Sequence, residues 1–255
     1  MKKPILIIIP AYNEKKTIGG LIGQIQSGDC GKYCDILVVN DASTDGTNFL
    51  SKQMGVSVIT HVFNLGYGSA LQIGYKYAVR YGYDYVIQMD ADGQHDVCNI
   101  AAIYGKLREE DDTGACPDIV VGSRFLPGSV SFPVSGLKKL AITIFRKLIR
   151  SSTGRTITDP TSGLQGISRR ALLYYSQYKH FDYRYPDANM LMEMLLQGYR
   201  VEEVPAIMHA REFGTSMHSG LKPIFYMLTM MTSILNVFIR ARMEKHRQKH
   251  SKAEA

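Results

Sequence analysis

Five short runs, 5–9 (ILIII), 36–39 (ILVV), 56–60 (VSVIT), 85–89 (YVIQM) and 119–121 (IVV), are nearly continuous in apolar character rather than alternating. A strand wetted on one face alternates apolar with polar residues, so continuous runs predict strands covered on both faces. Helical patterns lie between them, clearest over 69–81, where Ala70, Gly74, Tyr77, Ala78 and Tyr81 share one face at spacings of three and four. Strands alternating with helices predict an α/β fold built on a mostly parallel sheet.

At 255 residues the chain is long enough for one sizeable core with a small appendage. A content of 45% hydrophobic and 21% charged residues excludes general disorder, and there is no internal repeat. The apolar run near the N-terminus is short, is cut by Pro10, and leads into Asn13 and Glu14 without a small-residue cleavage site. It reads as a buried strand rather than a secretory leader. Cys30, Cys34, Cys98 and Cys116 lack the paired spacing of a zinc site and point to reduced cytosolic thiols. The net charge of +7 fits nucleic acid, an anionic membrane or merely a basic surface, and only its placement can decide.

Polar residues gather just past the strands. Asn13 and Glu14 follow the first, Asp41 and Asp45 the second, Asn64 the third, and Asp90 and Asp92 the fourth. Ligands of open α/β sheets bind outside the carboxyl ends of the strands, so these residues should line one crevice. In DADG the carboxylates of Asp90 and Asp92 stand two residues apart before the turn at Gly93, and unscreened they would repel. A hard cation such as Mg²⁺ or Mn²⁺ removes that conflict, taking one or two carboxylates plus substrate phosphates, which implies a diphosphate substrate. A calcium EF-hand fails, because Ala101 and Lys52 stand where the two candidate loops need a bidentate Glu. There is no GxxxxGK[ST], GxSxG or HExxH, and GYGSAL only half-matches a dinucleotide loop, with Leu71 at the third glycine position.

Beyond Arg124 the pattern turns irregular. Residues 137–150 form a basic amphipathic helix with Leu137, Leu140, Ala141, Ile144, Phe145, Leu148 and Ile149 on one face, and Lys138, Lys139, Arg146, Lys147 and Arg150 largely elsewhere. Such a helix either packs on the core or lies in a membrane interface, and the sequence leaves both open. The apolar stretch 224–239 is short of the roughly 20 residues that span a bilayer. It is followed by Arg240, Arg242, Lys245, Arg247, Lys249 and Lys252, which suits an interfacial or re-entrant helix with a polybasic tail. Together the two segments predict membrane association.

The blocks IPAYNE, VVNDASTDGT, NLGYGSALQIGYKYA, MDADGQHD, GSRF and DPTSGLQGISR, in this order, resemble glycosyltransferase family 2. The branch is that of dolichol-phosphate mannosyltransferase and the bacterial polyprenyl-phosphate glycosyltransferases, and the match runs roughly from Pro4 to Ser216. The resemblance implies a GT-A fold, a Rossmann-like mixed sheet, over residues 1–216, followed by membrane-associating helices and a polybasic tail over 217–255. It implies that Pro10, Tyr12, Glu14 and Asp41 hold the base and ribose of a UDP- or GDP-linked sugar. Asp90, Asp92 and Gln94 would hold Mg²⁺ or Mn²⁺, and Arg124 and Arg211 would lie near the donor or acceptor phosphates. Asp92, Asp187, Arg124 and Arg211 are the expected catalytic set, with Asp187 as general base if the acceptor is a hydroxyl and as a positioning group if it is a phosphate. Relatives carry a lysine after the serine of the RxxGxS block, where this chain has Met217 and then His218, with Lys222 as another substitute. Asp159 stays open between substrate contact and loop brace, and His95 between acceptor and solvent. Glu193 reads as structural, and Asp96 as a cap for a helix beginning near Val97.

The expected function is metal-dependent, inverting transfer of a sugar to a polyprenyl or dolichyl phosphate at the cytoplasmic membrane face, for cell-surface glycan synthesis. A homo-oligomer or a small membrane-protein partner is compatible with it. Transfer to a saccharide hydroxyl is the alternative. A non-catalytic membrane or nucleic-acid binder is the remote one, disfavoured because paired carboxylates repel phosphate.

Overall fold

The run ILIII forms the middle of β1 (Ile5–Ala11), and its side chains divide between two cores. Ile5, Ile7 and Ile9 pack with α1 (Lys15–Ser27) and α4 (Asn99–Leu107), through Ile18, Ile22, Ile100 and Ile103. Leu6 and Ile8 face the other way, toward α3 (Tyr67–Arg80) and α5 (Gly136–Thr153), through Leu71, Tyr75, Phe145 and Ile149. Both faces of the strand are dry, which is why its sequence does not alternate.

The remaining strands are β2 (Cys34–Asn40), β3 (Ser57–Thr60), β4 (Tyr85–Gln88), β5 (Ile119–Ser123), β6 (Gln165–Ser168) and β7 (Val201–Pro205), joined in the order β3-β2-β1-β4-β6-β5-β7. β6 runs antiparallel to β4 and β5, and the other pairings are parallel. The helices α2 (Thr47–Gln53), α6 (Arg169–Tyr175) and α7 (Ala188–Leu196) complete the named elements. This is the mixed, mostly parallel sheet of a Rossmann-like GT-A fold. The computed structural model describes residues 3–184, 186–211, 229–240 and 243, apart from the Leu137 side chain. Met217, His218, Lys222 and most of the polybasic tail lie outside the described residues.

The five strands read from sequence are present. β6 and β7 are additions, and each lacked an apolar signal: QGIS is short and half polar, and VEEVP is an edge strand that carries Glu202 and Glu203. Two helix faces are rotated from expectation. α3 buries Ala70, Leu71, Gly74, Tyr75 and Ala78, while Tyr81 is exposed. Tyr75 goes inward because its hydroxyl reaches the Gln88 side chain inside the sheet. α5 buries Ala141, Ile142, Phe145 and Ile149 and leaves Leu140 58% exposed, so its apolar face is a core face.

The terminal helix, 229–240, also packs on the fold. Met230 and Ile234 are fully buried in the core shared with α3, α5 and α7, and Met231, Val237 and Phe238 pack against it. Asn189 donates to Ser233 Oγ at 2.8 Å, and Arg240 pairs with Glu193 Oε1 at 2.8 Å, where the Tyr174 hydroxyl also donates. Glu193 is thus structural, a clamp between α6, α7 and the terminal helix. Leu235, Ile239 and Met243 remain exposed at a spacing of four. Among the described residues, no helix is long and apolar enough to cross a membrane.

Candidate active site

β1, β2 and β4 run parallel and in register, so their carboxyl ends open on one side. Two left-handed residues shape the rim there, Asn13 at φ 56° and Ala42 at φ 59°. Asn13 in that conformation receives the Thr44 N–H on Oδ1 and donates its own N–H to Ser43 Oγ, both at 2.9 Å. Asp45 then accepts the Lys15 and Thr47 N–H groups, capping α1 from a neighbouring loop. The two loops are locked to each other, with Tyr12 half exposed between them and Pro10 buried within β1.

Asp41 has a different place from the one expected. Its Oδ1 accepts the Leu65 N–H at 2.8 Å and lies 2.7 Å from His61 Nδ1, and its Oδ2 accepts the Gly66 N–H at 2.8 Å. The carboxylate is buried and fully used in holding the loop that starts α3. It braces the wall of the site.

Asp90 and Asp92 do come together at the end of β4. Burial opposes the charge on Asp90, but the His95 ring, the Tyr67 hydroxyl and Arg211 together hold its carboxyl below the usual range. Asp92 is pushed up, first by burial and then by Asp90 itself. Asp90 Oδ1 is buried without a hydrogen-bond partner. Two mutually unfavourable carboxylates, one with an orphaned oxygen, fit a divalent cation with oxygen preference. Among the described residues no three His, Cys, Asp or Glu side chains form a metal cage. Gln94 Nε2 donates to the His209 carbonyl at 3.4 Å, beside the bridge between His95 and Met208. His95 does not face solvent. It is buried, with Nε2 3.4 Å from Asp90 Oδ2. Asp96 accepts the Cys98 N–H at 2.8 Å in the turn ahead of α4, whose N-cap is Cys98 and not Asp96 as expected.

The segment after β7 delivers Arg211. His209 N donates to Gln94 O and Met208 N to Val130 O, both at 2.8 Å, which stitches this segment across two loops of the crevice. Arg211 then reaches Glu14 Oε1 at 2.8 Å and Asp92 Oδ2 at 3.6 Å. Glu14 is pushed up by burial, against the pull of Arg211.

Arg124 is the other departure. Its guanidinium is closed on buried Asp159 by two bonds of 2.6 Å and also donates to Thr161 Oγ1 at 2.9 Å. Glu203 in turn accepts the Thr158 and Asp159 N–H groups. Asp159 is therefore the loop brace, and Arg124 its bidentate partner rather than a free phosphate ligand. Lys138, in the first turn of α5, is close enough to Asp187 for its charge to offset part of the effect of burial on that carboxyl. Asp187 precedes α7, and burial pushes it up to about 7, with Asp90 adding to the effect. The sequence offered no sign that Lys138 differs from the other basic residues of its helix, since the path of 125–135 sets where that helix starts.

Glycosyl transferase family 2 is matched by residues 6–174, well over half of the chain. The chain belongs to glycosyltransferase family 2. This glycosyltransferase is 30% identical over 227 residues to the polyprenol monophosphomannose synthase of Mycolicibacterium smegmatis, covering 84% of this chain and 81% of that one. It is also 30% identical over 227 residues to the undecaprenyl-phosphate mannosyltransferase of Micrococcus luteus, with 85% and 88% covered. Among solved structures, glucosyl-3-phosphoglycerate synthase from Mycobacterium tuberculosis, in complex with Mn²⁺ and UDP-glucose, superposes with a TM-score of 0.66. The identity is 19%, over 92% of this chain and 79% of that one, which speaks to fold alone.

Proposed function

We propose that this glycosyltransferase moves a hexose, with inversion, from a nucleoside diphosphate sugar to a polyprenyl phosphate at the cytoplasmic membrane face. The observation that carries the reading is the pairing of Asp90 and Asp92, one oxygen orphaned, beside Lys138 and Arg211 in one crevice. A divalent cation bound to the two carboxylates would stabilise the diphosphate as the glycosidic bond breaks. Arg211, 3.6 Å from Asp92, would neutralise the same group. Lys138 would receive the acceptor phosphate at the crevice mouth. An acceptor phosphate oxygen forms the new bond to the anomeric carbon while the carbon–oxygen bond to the diphosphate breaks on the opposite side, and the nucleoside diphosphate leaves. That oxygen is already anionic, so Asp187 positions groups and removes no proton. The names of the two relatives support a lipid phosphate acceptor. The exposed stripe Leu235, Ile239 and Met243, beside Arg240, supports a membrane surface.

The test offers UDP- and GDP-sugars with polyprenyl phosphate and Mn²⁺, Mg²⁺ or a chelator, and looks for a labelled sugar-lipid. A product that chelator abolishes is expected, and Asp92→Asn should lower turnover about 100-fold or more at saturating donor while nucleotide affinity changes less. Product on a saccharide hydroxyl but not on the lipid phosphate would overturn the acceptor assignment.

A further inference from the structure

Asn99 has no part in the reading above, yet its side chain holds the segment that carries Arg211. It is the first residue of α4 and is 3% exposed. Its amide Nδ2 donates to the Ile207 carbonyl at 2.8 Å, and its Oδ1 accepts the Ile207 N–H at 2.9 Å. One side chain thus meets both backbone groups of a single distant residue, as a neighbouring strand would. The Asp96 N–H donates to the same carbonyl at 3.2 Å. Ile100 and Ile103 are fully buried in the core that includes Ile7 and Ile9, so α4 offers Asn99 from a fixed position.

The rest of the segment is held from two sides. Val130 N donates to Ala206 O at 3.1 Å and Met208 N to Val130 O at 2.8 Å, which leaves the Ile207 N–H between them to face Asn99. On the other side His209 N donates to Gln94 O at 2.8 Å, and His209 Nε2 lies 2.9 Å from Asp96 Oδ2. That last pair stands at the rim, with the His209 side chain 55% exposed. Arg211 follows two residues later, 2.8 Å from Glu14 Oε1 and 3.6 Å from Asp92 Oδ2. Successive residues of an extended chain are about 3.3 Å apart and point to opposite faces, so a slip by one residue would take the guanidinium away from both carboxylates. Without Asn99 the Ile207 N–H loses its partner inside the fold, and the segment has to shift to find another.

We propose that Asn99 is a positioning residue for Arg211: its two bonds to Ile207 set the register of the segment after β7, and His209 with Asp96 closes the same clasp at the rim. The carboxylate turn and the arginine that meets it are thereby placed by one helix end, since α4 begins just after that turn. The inference rests on the reading that Arg211 meets the donor diphosphate. It adds that donor affinity depends on a buried amide of α4.

The test is a double-mutant cycle on the affinity for UDP or GDP with Mn²⁺, read by titration calorimetry without acceptor, at a temperature where circular dichroism shows every variant folded. Arg211→Gln removes the charge and is expected to weaken nucleotide binding about 10-fold or more. Asn99→Ala is expected to weaken it about as much in the wild-type background and by less than about 2-fold in the Arg211→Gln background, because residues that act through one another do not add. His209→Ala, at an exposed position, should show the same dependence with a smaller loss, which keeps the idea testable should Asn99→Ala fold poorly. A loss of equal size in both backgrounds, or no loss, would overturn the clasp and leave the phosphate role of Arg211 standing. Arg211→Gln that binds like the wild type, or wild-type protein that binds neither nucleotide, would overturn both.

Discussion

At the residue scale, similar side chains in the crevice do opposite work because of what surrounds them. Arg124 and Arg211 both follow motifs that suggest phosphate binding, yet Arg124 is sealed against Asp159 in a buried pair while Arg211 sits among Glu14 and Asp92 at the opening. Removing one member of a buried ion pair leaves the other charge without compensation, at a cost of about 3–5 kcal/mol. Arg124→Leu should therefore lower unfolding free energy by about that amount in urea titrations, with its main effect on stability. Equal stability beside lost donor affinity would return Arg124 to the phosphates. Asp187 makes a separate prediction. Its carboxyl is raised from 3.8 to about 7 in the folded chain, so between about pH 4 and pH 7 the native state keeps a proton that the unfolded chain has released. Stability contributed by that proton falls as pH rises through this window and is gone above about 7. Asp187→Asn should accordingly raise the melting temperature of the metal-free protein at about pH 8, with the gain fading toward about pH 4. A gain that grows with acidity would reverse the sign and refute the burial argument.

At the element scale, two amphipathic segments that looked alike in sequence divide their apolar residues differently. α5 turns Phe145 and Ile149 into the core and presents Lys138 to the crevice at its first turn. The terminal helix buries Met230 and Ile234 but leaves Leu235, Ile239 and Met243 outside. Truncating a buried Ile to Ala costs about 2–5 kcal/mol through lost transfer energy and the cavity left behind. Ile234→Ala should show a loss of that size in denaturant unfolding, while Ile239→Asp should leave unfolding almost unchanged and reduce sedimentation with anionic phospholipid vesicles. Undiminished vesicle binding by Ile239→Asp would show that this stripe does not meet the lipid.

At the scale of the whole molecule, the site exists because parallel strands share one carboxyl end, and because the segment after β7 returns across it with Arg211. The first of these was legible in the sequence. Most of the continuous apolar runs are strands buried on both faces, with edge strand β3 the exception, and the polar residues just past them meet at one edge of the sheet. The DADG pair carried its own demand for a cation, since two carboxylates so close on one turn repel. What no local pattern expressed was partner choice. Asp41 looked like Asp90 in sequence but is satisfied by the Leu65 and Gly66 amides, and Lys138 looked like Lys139 but lies at the crevice. β6 and β7 were silent because one is short and the other is a charged edge. Periodicity and spacing report which way a side chain faces its own element. Which groups it meets across the molecule depends on how elements far apart in the chain pack, as the different partners of Asp41 and Asp90 show.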